Sequence, residues 1–209
     1  HDPRSAPAFG SARTPAPPHN ASPLLVRVGC FTLCPIDRPI VLVGMMGVGK
    51  TSVGKRLSAL LHIPFVDADE EIERAAQMSI PEIFAQFGED YFRDGERRVI
   101  ARLLDGEGAS HRKVIATGGG AFVNPQTRAL VLEQGIAVWL DSDVEVLLER
   151  VGRKDNRPLL KQGDPREILT RLKAERESAY AAAPIHVKSG QGPHGRTVAA
   201  ILKGIDQWL

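Results

Sequence analysis

The chain has 209 residues, 43% of them apolar and 25% charged, which suits one α/β unit with a sizeable buried core. Its net charge of +2 resides in the N-terminal region, where Arg4, Arg13 and Arg27 stand against Asp2. Acids and bases therefore balance from Asp37 onward, which argues against a nucleic-acid binder that relies on a basic face. No apolar run approaches the ~20 residues of a membrane-spanning helix. The two cysteines, Cys30 and Cys34, are too few for a disulfide framework or a zinc site and read as free thiols of a cytoplasmic protein.

Residues 1–36 are rich in Pro, Ala and Ser and show no hydrophobic period, so they read as a disordered extension. A transit peptide is the alternative, but the stretch lacks an amphipathic helical pattern. Leu24-Leu25-Val26-Arg27-Val28 is a candidate edge strand. The folded unit is expected to begin at residue 37, with Ile40 to Val43 as its first strand. That strand runs directly into Gly44-Met45-Met46-Gly47-Val48-Gly49-Lys50-Thr51, and a helix is expected from there to Leu61. A second short strand, Ile63 to Val66, ends in Asp67-Ala68-Asp69, and a helix follows from about Asp69 to Ala76. Ser79-Ile80-Pro81-Glu82 is a capping box with proline in the first turn, opening a helix toward Phe87. A longer amphipathic helix covers Gly88 to Leu104, weakened by Gly95.

The third strand, Lys113 to Thr117, is stopped by Gly118-Gly119-Gly120. Asn124-Pro125 starts a helix, Ile136 to Leu140 forms a strand, and Asp143 to Val151 forms another helix. A polar loop spans Gly152 to Asp164, followed by a helix from Pro165 to Tyr180, a strand at Ile185 to Val187 and a terminal helix from Thr197. Five short apolar strands alternating with helices imply a parallel sheet covered on both faces. Sites in such sheets form at the carboxyl ends of the strands, so the Gly44 loop, Asp67/Asp69 and the triple glycine should meet on one rim.

The Gly-x-x-x-x-Gly-Lys-Thr run between strand and helix is a phosphate cradle, with backbone N–H groups and the helix N-terminus turned onto phosphate oxygens. Lys50 reaches the outer phosphates and Thr51 offers its hydroxyl to magnesium. Asp67 and Asp69 beside bound phosphate require a cation between them, and Mg2+ shared with Thr51 supplies it. The same pair can also be read as helix-capping acids. Arg93 suits bidentate carboxylate recognition, yet alone it reads as a solvated residue paired with Glu89 or Glu96. Gly118, Gly119 and Gly120 suit a backbone that approaches a ligand closely, or simply a flexible turn. Arg150, Arg153, Lys154 and Arg157 form a basic cluster able to close over phosphates, or a solvated charge run. Arg176 alone is an exposed helix residue.

Together these motifs resemble shikimate kinase from about Pro39 to Leu209: Gly44 to Thr51, Asp67-Ala68-Asp69, Phe87-Gly88-Glu89 with Phe92, Arg93 and Glu96, Ala116 to Gly120, Arg157-Pro158-Leu159-Leu160, and Arg176 with Tyr180. The resemblance implies a three-layer P-loop kinase fold, a five-stranded parallel sheet flanked by helices, plus a mobile lid at about 152–164 and an acceptor-binding region at about 68–98. It implies transfer of the γ-phosphoryl group of ATP to the 3-hydroxyl of shikimate by a cytoplasmic monomer, with no nucleic-acid or membrane partner. By the same resemblance, Gly47, Val48, Gly49, Lys50, Thr51, Ser52 and the lid residue Arg157 hold ATP, and Thr51 and Asp67 hold Mg2+. Arg93 and Arg176 bind the shikimate carboxylate; Asp69 and the backbone of Gly118, Gly119 and Gly120 bind its hydroxyls; Phe84 and Phe92 wall the pocket. Lys50, Asp69 and Arg157 are the catalytic set, with Asp69 the proton acceptor. Near the adenine, Gln191-Gly192-Pro193 departs from the family pattern, and the stacking arginine is either Arg150 or Arg153.

Two rivals remain. A related metabolite kinase such as gluconate kinase shares the cradle but not the Asp69, Arg93, triple-glycine and Arg176 combination. Asp105-Gly106-Glu107-Gly108 fits a GTPase Asp-x-x-Gly motif, but it sits in a polar loop and no Asn-Lys-x-Asp motif accompanies it.

Overall fold

The computed structural model describes residues 26–28, 31–33, 36–106, 111–152 and 163–209. Val26–Val28 (β1) does form a strand, but it pairs antiparallel with Phe31–Leu33 (β2), outside the main sheet.

The main sheet contains Ile40–Val43 (β3), Phe65–Asp67 (β4), Val114–Ala116 (β5), Ile136–Asp141 (β6) and Ile185–Lys188 (β7). All neighbours are parallel, in the order β4-β5-β3-β6-β7. Strand β3 lies at the centre, with Ile40 in register between Val114 and Ile136. All four of its residues have no exposed surface, as expected of a strand covered on both faces.

The connecting helices are Lys50–Leu61 (α1), Ala68–Ala76 (α2), Ile80–Leu104 (α3), Pro125–Gln134 (α4), Val144–Val151 (α5), Pro165–Tyr180 (α6) and His194–Trp208 (α7). Right-handed crossovers account for the layering. The path from β3 through α1 leads to one side of the sheet and the path from β5 through α4 crosses to the other, so α1 and α4 cover opposite faces. Accordingly α1 packs with α7, and α3 packs with α4.

Local chemistry sets most boundaries. Ser79 and Glu82 form the expected capping box, and Asn124 caps α4 by accepting from the N–H groups of Gln126 and Thr127. The two helices expected from Ser79 to Leu104 form one element broken at Gly88, whose φ of 82° and ψ of 178° are not helical. Helix α7 begins at His194, directly after Pro193, rather than at Thr197. Among the described residues, no helix is long and apolar enough to cross a membrane.

Parallel pairing brings the carboxyl ends Val43, Asp67, Ala116 and Asp141 to one rim. The loops that follow them build the site.

Candidate active site

The cradle leaves β3 at Gly44, where the chain takes φ 133° and passes so close to β6 that a Cβ would lie 2.3 Å from the Leu140 carbonyl oxygen. Only glycine meets both conditions. Lys50 opens α1, and its Nζ donates to the carbonyl oxygens of Gly44 at 2.8 Å and Met45 at 3.0 Å. The ammonium group is therefore held over the loop whose N–H groups would face phosphate.

The Val48 carbonyl receives two donors, Arg150 Nη1 at 2.9 Å and Ser189 Oγ at 2.9 Å. Arg150 also donates through Nη2 to Gly190 O at 2.6 Å. It thus ties the cradle to the segment after β7, next to Gly192 and Pro193. Of the two arginines considered for the adenine side, Arg150 is on this rim, while Arg153 lies outside the described residues, as does Arg157.

Asp67 serves two neighbours. Its Oδ2 accepts from Thr51 Oγ1 at 2.9 Å, and its Oδ1 accepts from the Asp69 N–H at 3.1 Å, capping α2. The capping reading therefore holds for Asp67 through one oxygen, while its other oxygen accepts from Thr51. Because the helix begins at Ala68, Asp69 lies outside the extended segment that carries Asp67. Asp69 instead sits in the first turn of α2, and a Cβ on Gly118 would lie 2.8 Å from its Oδ1.

Arg93 lies on α3 after the Gly88 break. Its Nε and Nη2 bond Glu89 Oε1 at 3.2 and 3.0 Å, and its Nη1 bonds Glu96 Oε2 at 2.8 Å. Both pairings proposed from sequence thus occur together. The guanidinium also lies 5.1 Å from the ring of Phe92, which packs on Phe84 with centroids 4.6 Å apart. Gly120 makes room for it, since a Cβ there would come within 2.7 Å of both Nη atoms.

Glu96 is a functional candidate that motif reading left without a role. It is 2% exposed, and its Oε1 has no hydrogen-bond partner among the described residues. Burial pushes its carboxyl above the ordinary carboxylate value. The Arg93 charge and hydrogen bond oppose that rise, nearby Asp69 adds to it, and Arg176 opposes it. The available signal was the three-residue spacing after Arg93, which places both on one helical face.

Arg176, on α6, donates through Nη1 to the Gly119 carbonyl at 3.2 Å. One turn later, Tyr180 donates its hydroxyl to the same oxygen. Gly119 in turn faces the cradle: a Cβ there would lie 3.3 Å from Met46 N and 3.8 Å from Gly44 O. The fold therefore brings Lys50, Thr51, Asp67, Asp69, Arg93, Gly118, Gly119, Gly120 and Arg176 to one rim. Ser52 follows in the first turn of α1.

A hydroxyl and a carboxylate already within hydrogen-bond distance, Thr51 and Asp67, are hard oxygen donors of the type magnesium prefers. Among the described residues, no group of three or more His, Cys, Asp or Glu side chains could form a protein-only metal cage. This donor set fits an ion that takes its remaining ligands from phosphate and water.

Comparison with known proteins agrees with this geometry. The family model described as shikimate kinase matches residues 46–206. A shikimate kinase of Novosphingobium aromaticivorans is 72% identical over 174 residues, covering 83% of this chain and 90% of the relative. The structure of shikimate kinase from Acinetobacter baumannii in complex with shikimate superposes with a TM-score of 0.74 at 38% identity, covering 79% of this chain and 91% of that one. A gluconokinase from Sinorhizobium meliloti shares the fold alone, at 19% identity and a TM-score of 0.55 over 82% of this chain and 93% of that one.

Proposed function

The chain belongs to the shikimate kinase family and phosphorylates shikimate with ATP, and from that premise we propose how its residues divide the work. The observation that carries the proposal is the place of Gly119. A Cβ built there would lie 3.3 Å from Met46 N, 3.8 Å from Gly44 O and 3.7 Å from Arg176 Nη1, so the cradle and Arg176 approach the same point. A phosphate donor and an anionic acceptor bound at these two groups would therefore adjoin one another, as direct transfer between them requires.

On the donor side, the backbone of Gly47, Val48 and Gly49 with Lys50, Thr51 and Ser52 holds the phosphates. Thr51 and Asp67 hold Mg2+, which when bound neutralises phosphate charge. Arg157, outside the described residues, is the lid cation that reaches the transferring group. On the acceptor side, Arg93 and Arg176 bind the carboxylate as fork-shaped donors. The backbone of Gly118, Gly119 and Gly120 supports the ring hydroxyls.

Asp69 accepts the proton of the 3-hydroxyl, giving shikimate 3-phosphate and ADP. Its support is its place at the first turn of α2 facing Gly118, beside the buried cluster. Lys50 and Arg157 act on developing charge, so positioning and electrostatics carry the rate. The catalytic unit spans residues 37–209 and acts as a cytoplasmic monomer on two small molecules, without nucleic acid or membrane.

The test is ADP release measured against a panel of acceptors. Turnover with shikimate and none with gluconate is expected. Phosphorylation of gluconate but not shikimate would overturn the reading.

A further inference from the structure

Tyr180 is a buried polar group to which the mechanism above assigns no role. It is 1% exposed, stacks on Trp139 with ring centroids 6.0 Å apart, and gives its hydroxyl to Gly119 O. The same hydroxyl lies 4.0 Å from Met45 Sδ in the cradle loop. Gly119 O also accepts from Arg176 Nη1, so one carbonyl has two donors, both from α6 and one helical turn apart.

This sharing bears on binding. If Arg176 turns its Nη1 edge onto the acceptor carboxylate, it loosens its bond to Gly119 O. With Arg176 as the sole donor, that move would leave a partly buried carbonyl unsatisfied. With Tyr180 present, the carbonyl keeps a partner. We propose that Tyr180 is a positioning residue for the acceptor: its hydroxyl holds the Gly119 carbonyl and thereby frees Arg176 to engage an anionic substrate.

The hydroxyl also fixes the peptide between Gly119 and Gly120. In a trans peptide the N–H points opposite to the C=O, so anchoring Gly119 O toward α6 directs the Gly120 N–H away from it. Burial pushes the Tyr180 phenol up to about 12, which keeps it a donor throughout the physiological range. The stack on Trp139 holds the ring itself, so the hydroxyl can be removed without emptying the site.

The inference rests on Arg176 binding the acceptor carboxylate, and a double-mutant cycle separates the two ideas. Tyr180→Phe, Arg176→Lys and the double variant are compared by shikimate KM, ATP KM and thermal midpoint. Tyr180→Phe is expected to raise the shikimate KM about tenfold while ATP KM stays within about twofold. In the Arg176→Lys background, the same substitution should change shikimate KM by less than about twofold.

An unchanged shikimate KM in Tyr180→Phe, an equal effect in both backgrounds, or a parallel rise in ATP KM would overturn the role of Tyr180. An unchanged shikimate KM in Arg176→Lys would overturn the assignment of Arg176 as well. A raised shikimate KM in Arg176→Lys with none in Tyr180→Phe would sink the Tyr180 inference alone.

Discussion

Asp69 and Glu96 come from different helices and converge on Gly118: a Cβ built there would lie 2.8 Å from an oxygen of each carboxylate. Two carboxylates around one small residue repel, and the arrangement stands because Arg93 and Arg176 lie beside it. This part of the rim is therefore a set of acids and arginines in which each charge depends on its neighbours.

The pH dependence of stability tests this balance. Burial holds the folded Glu96 carboxyl above its ordinary value, so folding favours its protonated form. Its contribution is fully present below the unfolded value and is lost as pH rises through the raised folded value. Glu96→Gln cannot titrate there. Urea denaturation across acid to neutral pH should show the stability of wild type relative to the variant declining as pH increases. A constant difference would show that Glu96 titrates normally.

Gly118→Ala places a methyl group against both carboxylates. Such overpacking costs about 1–3 kcal/mol. Asp69 and Glu96 are both displaced, so shikimate KM should rise together with the loss of stability. Thermal melts and steady-state kinetics on the same preparation check the result, and a variant with native kinetics would refute the close approach.

Arg93→Ala and Lys50→Met should separate the two halves of the site. With Arg93 binding the acceptor as proposed, its removal should raise shikimate KM about 10- to 100-fold, sparing ATP binding. With Lys50 acting on phosphoryl charge as proposed, its removal should lower kcat by about a hundredfold or more. Calorimetric titration of nucleotide and initial-rate kinetics distinguish the outcomes.

Asp141, at the end of β6, tests an electrostatic tie on the opposite side of the cradle. Burial alone would raise its carboxyl, but hydrogen bonds and charge from Lys173 and Lys188, at 2.8 and 2.6 Å, hold it below the ordinary value. A depressed folded value contributes stability above the unfolded value, lost as pH falls through the folded one. Asp141→Asn should cost about 1 kcal/mol near neutrality, with the difference vanishing in acid. A difference that persists at low pH would point to packing instead.

The gluconate kinase alternative illustrates how far motifs reach. The fold extends to a gluconokinase at 19% identity, so the fold alone does not identify the acceptor. What separates the two readings is the 72% identical relative, a shikimate kinase.

By itself the sequence determined the phosphate cradle, the five strands and the helices between them. Those features rest on local chemistry: apolar strand runs, caps such as Ser79 and Asn124, and glycines where the backbone must turn. It also placed Asp67, Asp69 and the triple glycine on one rim, since parallel strands end together. Only the tertiary structure decided how these groups are shared. Arg150 reaches Val48 across 102 positions, and Tyr180 reaches Gly119 across 61. Burial of Glu96 and the two oxygens of Asp67 likewise emerge from packing between helices and strands. A hydrogen-bond partner distant along the chain is chosen by geometry and the need to satisfy buried polar groups, and no local spacing records that choice.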